Sequence, residues 1–162
     1  MSENTSLIKK LQLKDAHKPV LILNAPDEFS AVADEFKVPV DYEPKQDIYG
    51  FVMAYGKNNE ELKEFSKKAV SFIEGDGLLW ICYPKKSSKK YKTSDCDRDT
   101  TGSLLGDYNY EPVRQIAMDD DWSALRFRHA DNIKTMIRKE AVSEKGKERI
   151  KLSLDKNFKN NS

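Results

Sequence analysis

Continuous apolar runs of strand length recur along this chain and are separated by polar segments. Val20–Leu23, Ile48–Tyr55 and Leu78–Tyr83 are apolar almost throughout, which is typical of strands covered on both faces of a sheet. We expect these three runs to form the inner strands. Shorter or alternating runs predict further strands at 38–41, 112–118 and 122–128.

The segments between these runs have apolar residues at helical spacing. Residues 27–36 and 58–75 are the two longest such segments, and Gly75 is expected to end the second. Shorter helices are predicted over 7–14 and 100–107. The second long helix has an apolar stripe that consists of Leu62, Phe65, Ala69, Phe72 and Ile73.

This alternation of strands and helices predicts an α/β layer fold with a mostly parallel sheet. Asp119, Asp120 and Asp121 separate the last two strands, which fits the turn of an antiparallel hairpin at the end of the sheet. The chain divides into a helical extension, the α/β domain and a peripheral helix with a polar tail, expected at 1–18, 19–128 and 129–162.

Composition restricts the classes of protein that remain. The 162 residues include 28 Lys and Arg against 27 Asp and Glu, so the net charge of +1 argues against bulk nucleic-acid binding. Two cysteines cannot form a disulfide framework. No apolar run approaches the roughly 18 residues of a membrane span, and the N-terminus lacks the core of a signal peptide. We therefore expect a cytoplasmic protein without membrane contact.

The turn after the first strand is where an α/β fold would place glycines for a nucleotide cofactor. Here the residues are 24–28, Asn-Ala-Pro-Asp-Glu, without a glycine. Pro26 has no N–H to donate, and Asp27 and Glu28 would repel a phosphate at the start of the helix. We predict a structural connection at this turn and no cofactor, neither S-adenosylmethionine nor NAD.

Two polar segments are candidates for ligand binding. The loop 85–99 has five lysines within 85–92, together with several hydroxyl side chains, and is expected to contribute no core residues. It can hold an anionic ligand or partner, or it can be a solvated loop. Arg126 and Arg128 share a strand face with Trp122, where they can bind a flat or anionic ligand or pair with structural carboxylates.

We predict one shared site, since ligands bind at the carboxyl ends of strands in open α/β sheets. Its ligand is expected to be an anionic small molecule or an acidic protein surface. Trp122 would supply a stacking wall, and Ser123 is included although it lies on the opposite strand face. No catalytic residue and no metal site are predicted, because no cysteine or histidine has suitable neighbours. The converging cations are Lys85, Lys86, Arg98, Arg126 and Arg128.

Several motifs stand out along the chain, namely Val20-Leu21-Ile22-Leu23-Asn24-Ala25-Pro26, Leu78-Leu79-Trp80-Ile81, Tyr83-Pro84-Lys85-Lys86-Ser87-Ser88, Asp97-Arg98-Asp99, Val113-Arg114-Gln115 and Asp121-Trp122-Ser123-Ala124-Leu125-Arg126-Phe127-Arg128. Together they resemble the motifs of a family of uncharacterised bacterial proteins. The resemblance covers about residues 18–128 and implies a small Rossmann-like domain. It further implies some similarity to a methyltransferase core without the glycine-rich cofactor turn, and it implies no particular activity.

Three functions compete on this basis. The first is a non-catalytic, Rossmann-like binding module for a phosphate-bearing or acidic ligand, and it leads us to expect that the protein is not an enzyme. The second is a divergent transferase of methyltransferase-like type, which the missing glycines disfavour. The third is an accessory protein of nucleic acids that uses the lysine loop, which the balanced charge disfavours.

Overall fold

A computed structural model describes residues 7, 9–12, 18–34, 36 and 38–133 of the chain. Six strands form one sheet in the order β2-β1-β3-β4-β6-β5. The first four in that order are parallel, and β6 runs antiparallel to both β4 and β5. The strands are β1 (Val20–Leu23), β2 (Val40–Asp41), β3 (Tyr49–Tyr55), β4 (Ile73–Pro84), β5 (Tyr110–Ala117) and β6 (Trp122–His129).

Helices cover both faces of the sheet, so the fold has three layers. A 3-10 turn (Asp27–Phe29) leads into α1 (Ser30–Ala33) on one face. The opposite face packs against α2 (Asn59–Val70) and the region of α3 (Arg98–Gly102). No helix in the described part of the chain has both the length and the apolar composition needed to cross a membrane.

The predicted inner strands are confirmed, because both of their faces are covered. On the α1 face, Ile22, Met53 and Trp80 are fully buried or nearly so. On the α2 face, Leu21 and Ile81 have no exposed surface. The predicted α/β fold with a mostly parallel sheet and a terminal antiparallel hairpin is therefore correct.

β4 begins five residues earlier than predicted, and α2 ends before Gly75. The chain leaves α2 after Val70, and the N–H of Tyr49 donates to the carbonyl of Phe72 at 2.7 Å, which brings Ile73 into the sheet. A Cβ at Gly77 would lie 3.0 Å from the carbonyl oxygen of Gly50. Gly77 is therefore a strand residue that permits close approach of β3, where the sequence pattern indicated a turn.

The hairpin turn forms as predicted at the three aspartates. Asp119 Oδ1 accepts the backbone N–H groups of Asp121 and Trp122, both at 2.8 Å. The outer strand of the hairpin is irregular, with a register shift between Pro112 and Arg114.

The described part of the N-terminal segment is tied to the central strand. Leu7 and Leu11 are buried in the core on the α1 face. The indole N–H of Trp80 donates to the carbonyl oxygen of Leu11 at 3.0 Å. This hydrogen bond satisfies the polar atom of a fully buried tryptophan. The predicted helix at 7–14 is described only at 7 and 9–12, and the tail at 134–162 lies outside the described residues.

The loop after β4 contributes to the core, contrary to expectation. Cys96 is buried among the side chains of the α2 face, and Tyr91 packs against the core on the α1 face. Ser88 is also buried, and its Oγ donates to Asp121 Oδ1 at 2.7 Å. The loop is therefore a packed part of the domain, because Tyr91 and Cys96 reach opposite faces of the sheet.

Candidate functional site

A polar cleft of about 490 Å³ opens at the carboxyl end of β4, and we call it the β4 cleft. This is the edge of the sheet at which ligands bind in open α/β folds. Four predicted site residues line it, namely Lys85, Lys86, Arg98 and Ser123. The remaining lining residues are Tyr83, Asp97, Asp99 and Gln115.

The wall of the β4 cleft is organised by the start of α3. Asp97 caps this helix, and its Oδ1 accepts the backbone N–H of Thr100 at 2.7 Å. This hydrogen bond lowers the pKa of Asp97, and the positive charge of Lys86 adds to the effect. Lys86 Nζ lies 3.7 Å from Asp97 Oδ2, while Arg98 is largely exposed. The cleft therefore presents exposed cations beside a carboxylate that is held by the helix cap.

The floor of the β4 cleft is a cross-strand pair of hydroxyl residues. Tyr83 on β4 lies opposite Ser123 on β6, and Gln115 Nε2 donates to the Tyr83 hydroxyl at 2.9 Å. Burial raises the pKa of the Tyr83 phenol, although hydrogen bonds from Ser123 and Gln115 oppose it. Tyr83 is therefore neutral near pH 7 and can serve as a hydrogen-bonding group. It is unsuited to act as a base.

The other predicted site residues do not line this cleft, so the structure does not bring the five predicted cations together. Ser123 pairs with Tyr83, whereas Arg126 pairs with Trp80 nearer the opposite end of β4. At about 3.3 Å per residue, three positions along β6 separate Ser123 from Arg126 by roughly 10 Å. Arg128 lies further along the strand and forms a two-point ion pair with Asp76.

Trp122 also faces away from the β4 cleft. It is buried on the α1 face of the sheet, where its ring lies edge-on to Tyr55 and Tyr91. The alternation of side chains along a strand separates it from its neighbour Ser123. A stacking wall at the cleft is therefore not formed by Trp122.

A second network at the carboxyl edge was not predicted, and it centres on Glu28. Its carboxylate accepts hydrogen bonds from Tyr91 Oη at 2.6 Å, Trp122 Nε1 at 3.0 Å and Lys90 Nζ at 3.0 Å. Partial burial by itself raises the pKa of Glu28, but these donors outweigh it and lower the pKa to about 2. Glu28 is therefore an anion at any pH near neutrality, and it holds the lysine loop to the turn after β1.

Asn24 bridges the ends of β1 and β3 and was also missed. Its backbone is left-handed, with φ 58°. Its side-chain amide donates to the carbonyl oxygen of Tyr55 and to Glu61 Oε1, both at 3.0 Å. Asparagine adopts this backbone conformation more readily than most residues, which is a signal that the sequence did contain.

The lysine loop, residues 85–99, contacts Glu28 and then reaches the start of α2. Asp95 Oδ1 accepts the backbone N–H of Asn59 at 2.8 Å, and the Asn59 amide donates to the carbonyl oxygen of Asp95. The loop therefore contacts first the segment after β1 and then the segment after β3. In this way the chain itself covers the edge between these two strands.

Neither cysteine has the environment of a nucleophile. Cys82 lies in the fully buried part of β4, and burial raises the pKa of its thiol far above the usual range. Burial and nearby carboxylates likewise raise the pKa of Cys96. Within the residues that the structure describes, no group of three His, Cys, Asp or Glu side chains is placed to hold a metal ion.

No protein-family model matches the sequence, and no curated protein matches it. Solved structures do share its fold. A proposed sarcosine dimethylglycine methyltransferase from Galdieria sulphuraria matches with TM-score 0.53 and 12% identity over 80% of this chain and 84% of its own. The N-methyltransferase NodS from Bradyrhizobium japonicum WM9 matches with TM-score 0.51 and 11% identity over 78% and 93%.

A third likeness comes from Haemonchus contortus. Its phosphoethanolamine N-methyltransferase 2, in complex with phosphomonomethylethanolamine and S-adenosylhomocysteine, matches with TM-score 0.50 and 16% identity. The match covers 78% of this chain and 38% of the other. This chain has the Rossmann-like fold of methyltransferases. The distant methyltransferase likeness that the motifs implied is thereby confirmed at the level of the fold.

These likenesses overturn the expectation of a non-catalytic binding module, and with it the expectation that the protein is not an enzyme. The solved neighbours are methyltransferases, and they favour the transferase alternative. A turn that lacks glycine can still belong to a catalytic α/β scaffold, because function depends on the whole site.

The turn after β1 does not fit S-adenosylmethionine, the cofactor that the fold implies. The Asn24 amide lies across the gap between β1 and β3. Pro26 lacks an N–H, and Asp27 and Glu28 place acidic groups where a helix N-terminus would otherwise receive an anion. Glu28 is moreover fully engaged by the loop and the hairpin. This turn is therefore unsuited to hold the cofactor.

Proposed function

We propose that the protein is a transferase of divergent methyltransferase type whose reaction takes place in the β4 cleft. The observation that carries this proposal is the methyltransferase fold, shared over about four-fifths of the chain. The cleft supports it, because it is a polar opening at the edge where such folds bind ligands. The edge between β1 and β3 is crossed by the Asn24 amide and the lysine loop, and the cavity there, about 140 Å³, is smaller than the β4 cleft.

The charges of the β4 cleft suit a small amine that carries an anionic group. Lys85, Lys86 and Arg98 can hold a carboxylate or phosphate, with the guanidinium making two-point contact. Asp97 and Asp99 can face an ammonium group. Compounds of this class are named for two structural neighbours, sarcosine and dimethylglycine for one and phosphomonomethylethanolamine for the other.

The proposal is tested by measuring methyl transfer from labelled S-adenosylmethionine to dimethylglycine, sarcosine and phosphoethanolamine. We expect labelled product with the wild-type chain. The double variant Lys86→Glu/Arg98→Gln should lower the rate at least about tenfold, because it removes charge-assisted contacts to the anionic group. Lys89→Glu is the matched control, since Lys89 is an exposed lysine of the same loop that does not line the cleft.

Two results would contradict the proposal. One is the absence of product with every acceptor while the protein is folded. The other is transfer that Lys89→Glu and the cleft double variant reduce equally, since the reaction would then not depend on the cleft. Mapping donor-induced NMR shifts onto the backbone shows where the donor binds, and we expect the shifts at 83–99 and not at 24–28.

A further inference from the structure

We propose that the chain has a second ligand site at the amino edge of the parallel strands, which binds a small apolar α-amino acid through Arg126 and Glu74. The site is independent of the proposed transferase function, and it lies away from the β4 cleft. It consists of a cavity of about 320 Å³. Its lining includes Gln12, Lys18, Gly50, Glu74, Gly77 and Arg126.

Arg126 supplies the feature that calls for a ligand. Its Nε is buried and has no hydrogen-bond partner. Among the described residues, only one other buried side-chain atom lacks a partner. Its terminal nitrogen donates to Gln12 Oε1 at 3.0 Å, a neutral partner. Burial lowers the pKa of Arg126 and the positive charge of Arg128 adds to this, while the negative charge of Asp76 partly opposes both. The unpaired Nε–H of this half-buried cation is costly, so an incoming carboxylate would be stabilised here.

The neighbouring carboxylate, Asp76, is already engaged. It lines the same cavity, but Arg128 donates hydrogen bonds to both of its oxygens. Arg126 has no ion pair with another described residue. The guanidinium presents a planar fork, which matches a carboxylate in two-point contact. A ligand carboxylate therefore completes the hydrogen bonding of Arg126.

Glu74 supplies the opposite charge. Its side chain is exposed and forms no ion pair with another described residue. It lies over Gly50, because a Cβ at that position would come within 2.9 Å of Glu74 Oε1. Glycine at position 50 thus leaves space for this carboxylate at the cavity. Glu74 is available to an ammonium group, and its negative charge disfavours a phosphate.

Part of the cavity wall is apolar. Pro19, Val20, Phe51 and Leu78 contribute to it. A volume near 300 Å³ lies at the lower end of the range for small-molecule sites. The lining therefore combines cations (Lys18 and Arg126), carboxylates (Glu74 and Asp76) and apolar surface, which suits a zwitterion with a hydrocarbon side chain, such as leucine.

The test uses three compounds that have a similar branched hydrocarbon chain and differ in their charged groups. L-leucine has both charges, 4-methylpentanoate has only the carboxylate, and 3-methylbutylamine has only the ammonium group. Each is titrated into the full chain, and Kd is measured from backbone NMR shifts. We expect leucine to bind most tightly, with shifts at residues 18–20, 50–51 and 74–78.

Single variants test the contributions of Arg126 and Glu74 separately. Arg126→Gln should weaken leucine and 4-methylpentanoate about tenfold or more, because a charge-assisted hydrogen bond contributes about that much. Glu74→Gln should weaken leucine and leave 4-methylpentanoate unchanged or tighter. Lys89→Gln and Glu64→Gln are matched controls at exposed positions outside both the cavity and the β4 cleft, and both should leave every Kd unchanged.

The proposal fails if no compound shifts the cavity residues at 10 mM, about the weakest binding that such a site would show. It also fails if Arg98→Gln weakens leucine while Glu74→Gln does not, since binding would then occur in the β4 cleft. Glu74 is exposed, so Glu74→Gln keeps the test valid even if Arg126→Gln does not fold. Neither failure affects the transferase proposal, which is measured by product formation.

Discussion

Tyr91 Oη donates a hydrogen bond of 2.6 Å to Glu28 Oε1 across 63 positions of sequence. The same oxygen accepts the indole N–H of Trp122. One carboxylate in the 3-10 turn after β1 therefore holds both the lysine loop and the terminal hairpin. The path of the loop over the carboxyl edge depends on this contact.

Tyr91→Phe should release the loop without unfolding the domain. The variant removes a hydrogen bond to a charged acceptor and keeps the ring contact with Trp122, so we expect a loss of about 1 kcal/mol in unfolding free energy. Amide hydrogen exchange should become faster in 88–95 and stay unchanged in β3. Tyr42→Phe is the control, because Tyr42 is exposed. Equal exchange in both variants would show that the hydroxyl does not hold the loop.

Glu28→Gln should change the acid sensitivity of the protein. The folded pKa of Glu28 is about 2, below its ordinary value of 4.5. Its ionised form therefore adds stability that is fully present above pH 4.5 and is lost as the pH falls toward 2. The difference in unfolding free energy between wild type and Glu28→Gln should be constant above about pH 5 and shrink below it. Urea unfolding across this range measures it, and a difference that grows on acidification would refute the assignment.

Ile81→Ala should destabilise the domain by about 2–5 kcal/mol, because it leaves a cavity in a fully buried strand. Ile48→Ala is the matched control, since 53% of the Ile48 surface is exposed just before β3. Chemical denaturation compares the two variants. If both cost the same, β4 would not be an inner strand. Ile81→Asp should abolish folding, because no partner for a buried charge is available there.

Gly56 and Gly75 should respond oppositely to alanine. A Cβ at Gly56 would lie 2.6 Å from the backbone nitrogen of Leu62, whereas nothing lies within 4 Å of a Cβ at Gly75. Gly56→Ala must push α2 away from the end of β3, and we expect a loss of about 1–3 kcal/mol or more. Gly75→Ala should be neutral or slightly stabilising, by up to about 1 kcal/mol. Thermal unfolding distinguishes them, and a neutral Gly56→Ala would contradict the close packing.

The inner strands could be predicted because their runs are apolar almost throughout. Such runs are stable only where both of their faces are covered, as in the middle of a sheet. The start of β4 could not, since Gly75, Asp76 and Gly77 have the composition of a turn. The pairing of Tyr49 with Ile73 and the close approach of Gly50 to Gly77 keep this segment in the sheet. The composition of one segment does not reveal its contact with another strand.

The candidate site was predicted in part, and the missing information was the register of β6 on β4. The alternation of side chains correctly separated Ser123 from Trp122. It could not reveal that Ser123 pairs with Tyr83 and Arg126 with Trp80. This register places Arg126 far from the cations of the β4 cleft. The Glu28 network was missed for a similar reason, since its partners are more than 60 positions away.

The outer strands of the sheet are poor templates for another chain. β2 offers only two residues to a neighbour. β5 contains Pro112, which lacks an N–H, and the register shift that follows it bends the strand before the exposed Arg114. Edge-to-edge pairing of folded copies is thereby disfavoured on both sides. A concentrated solution of the native protein should accordingly resist the growth of continuous intermolecular sheets, the first step toward amyloid-like aggregation.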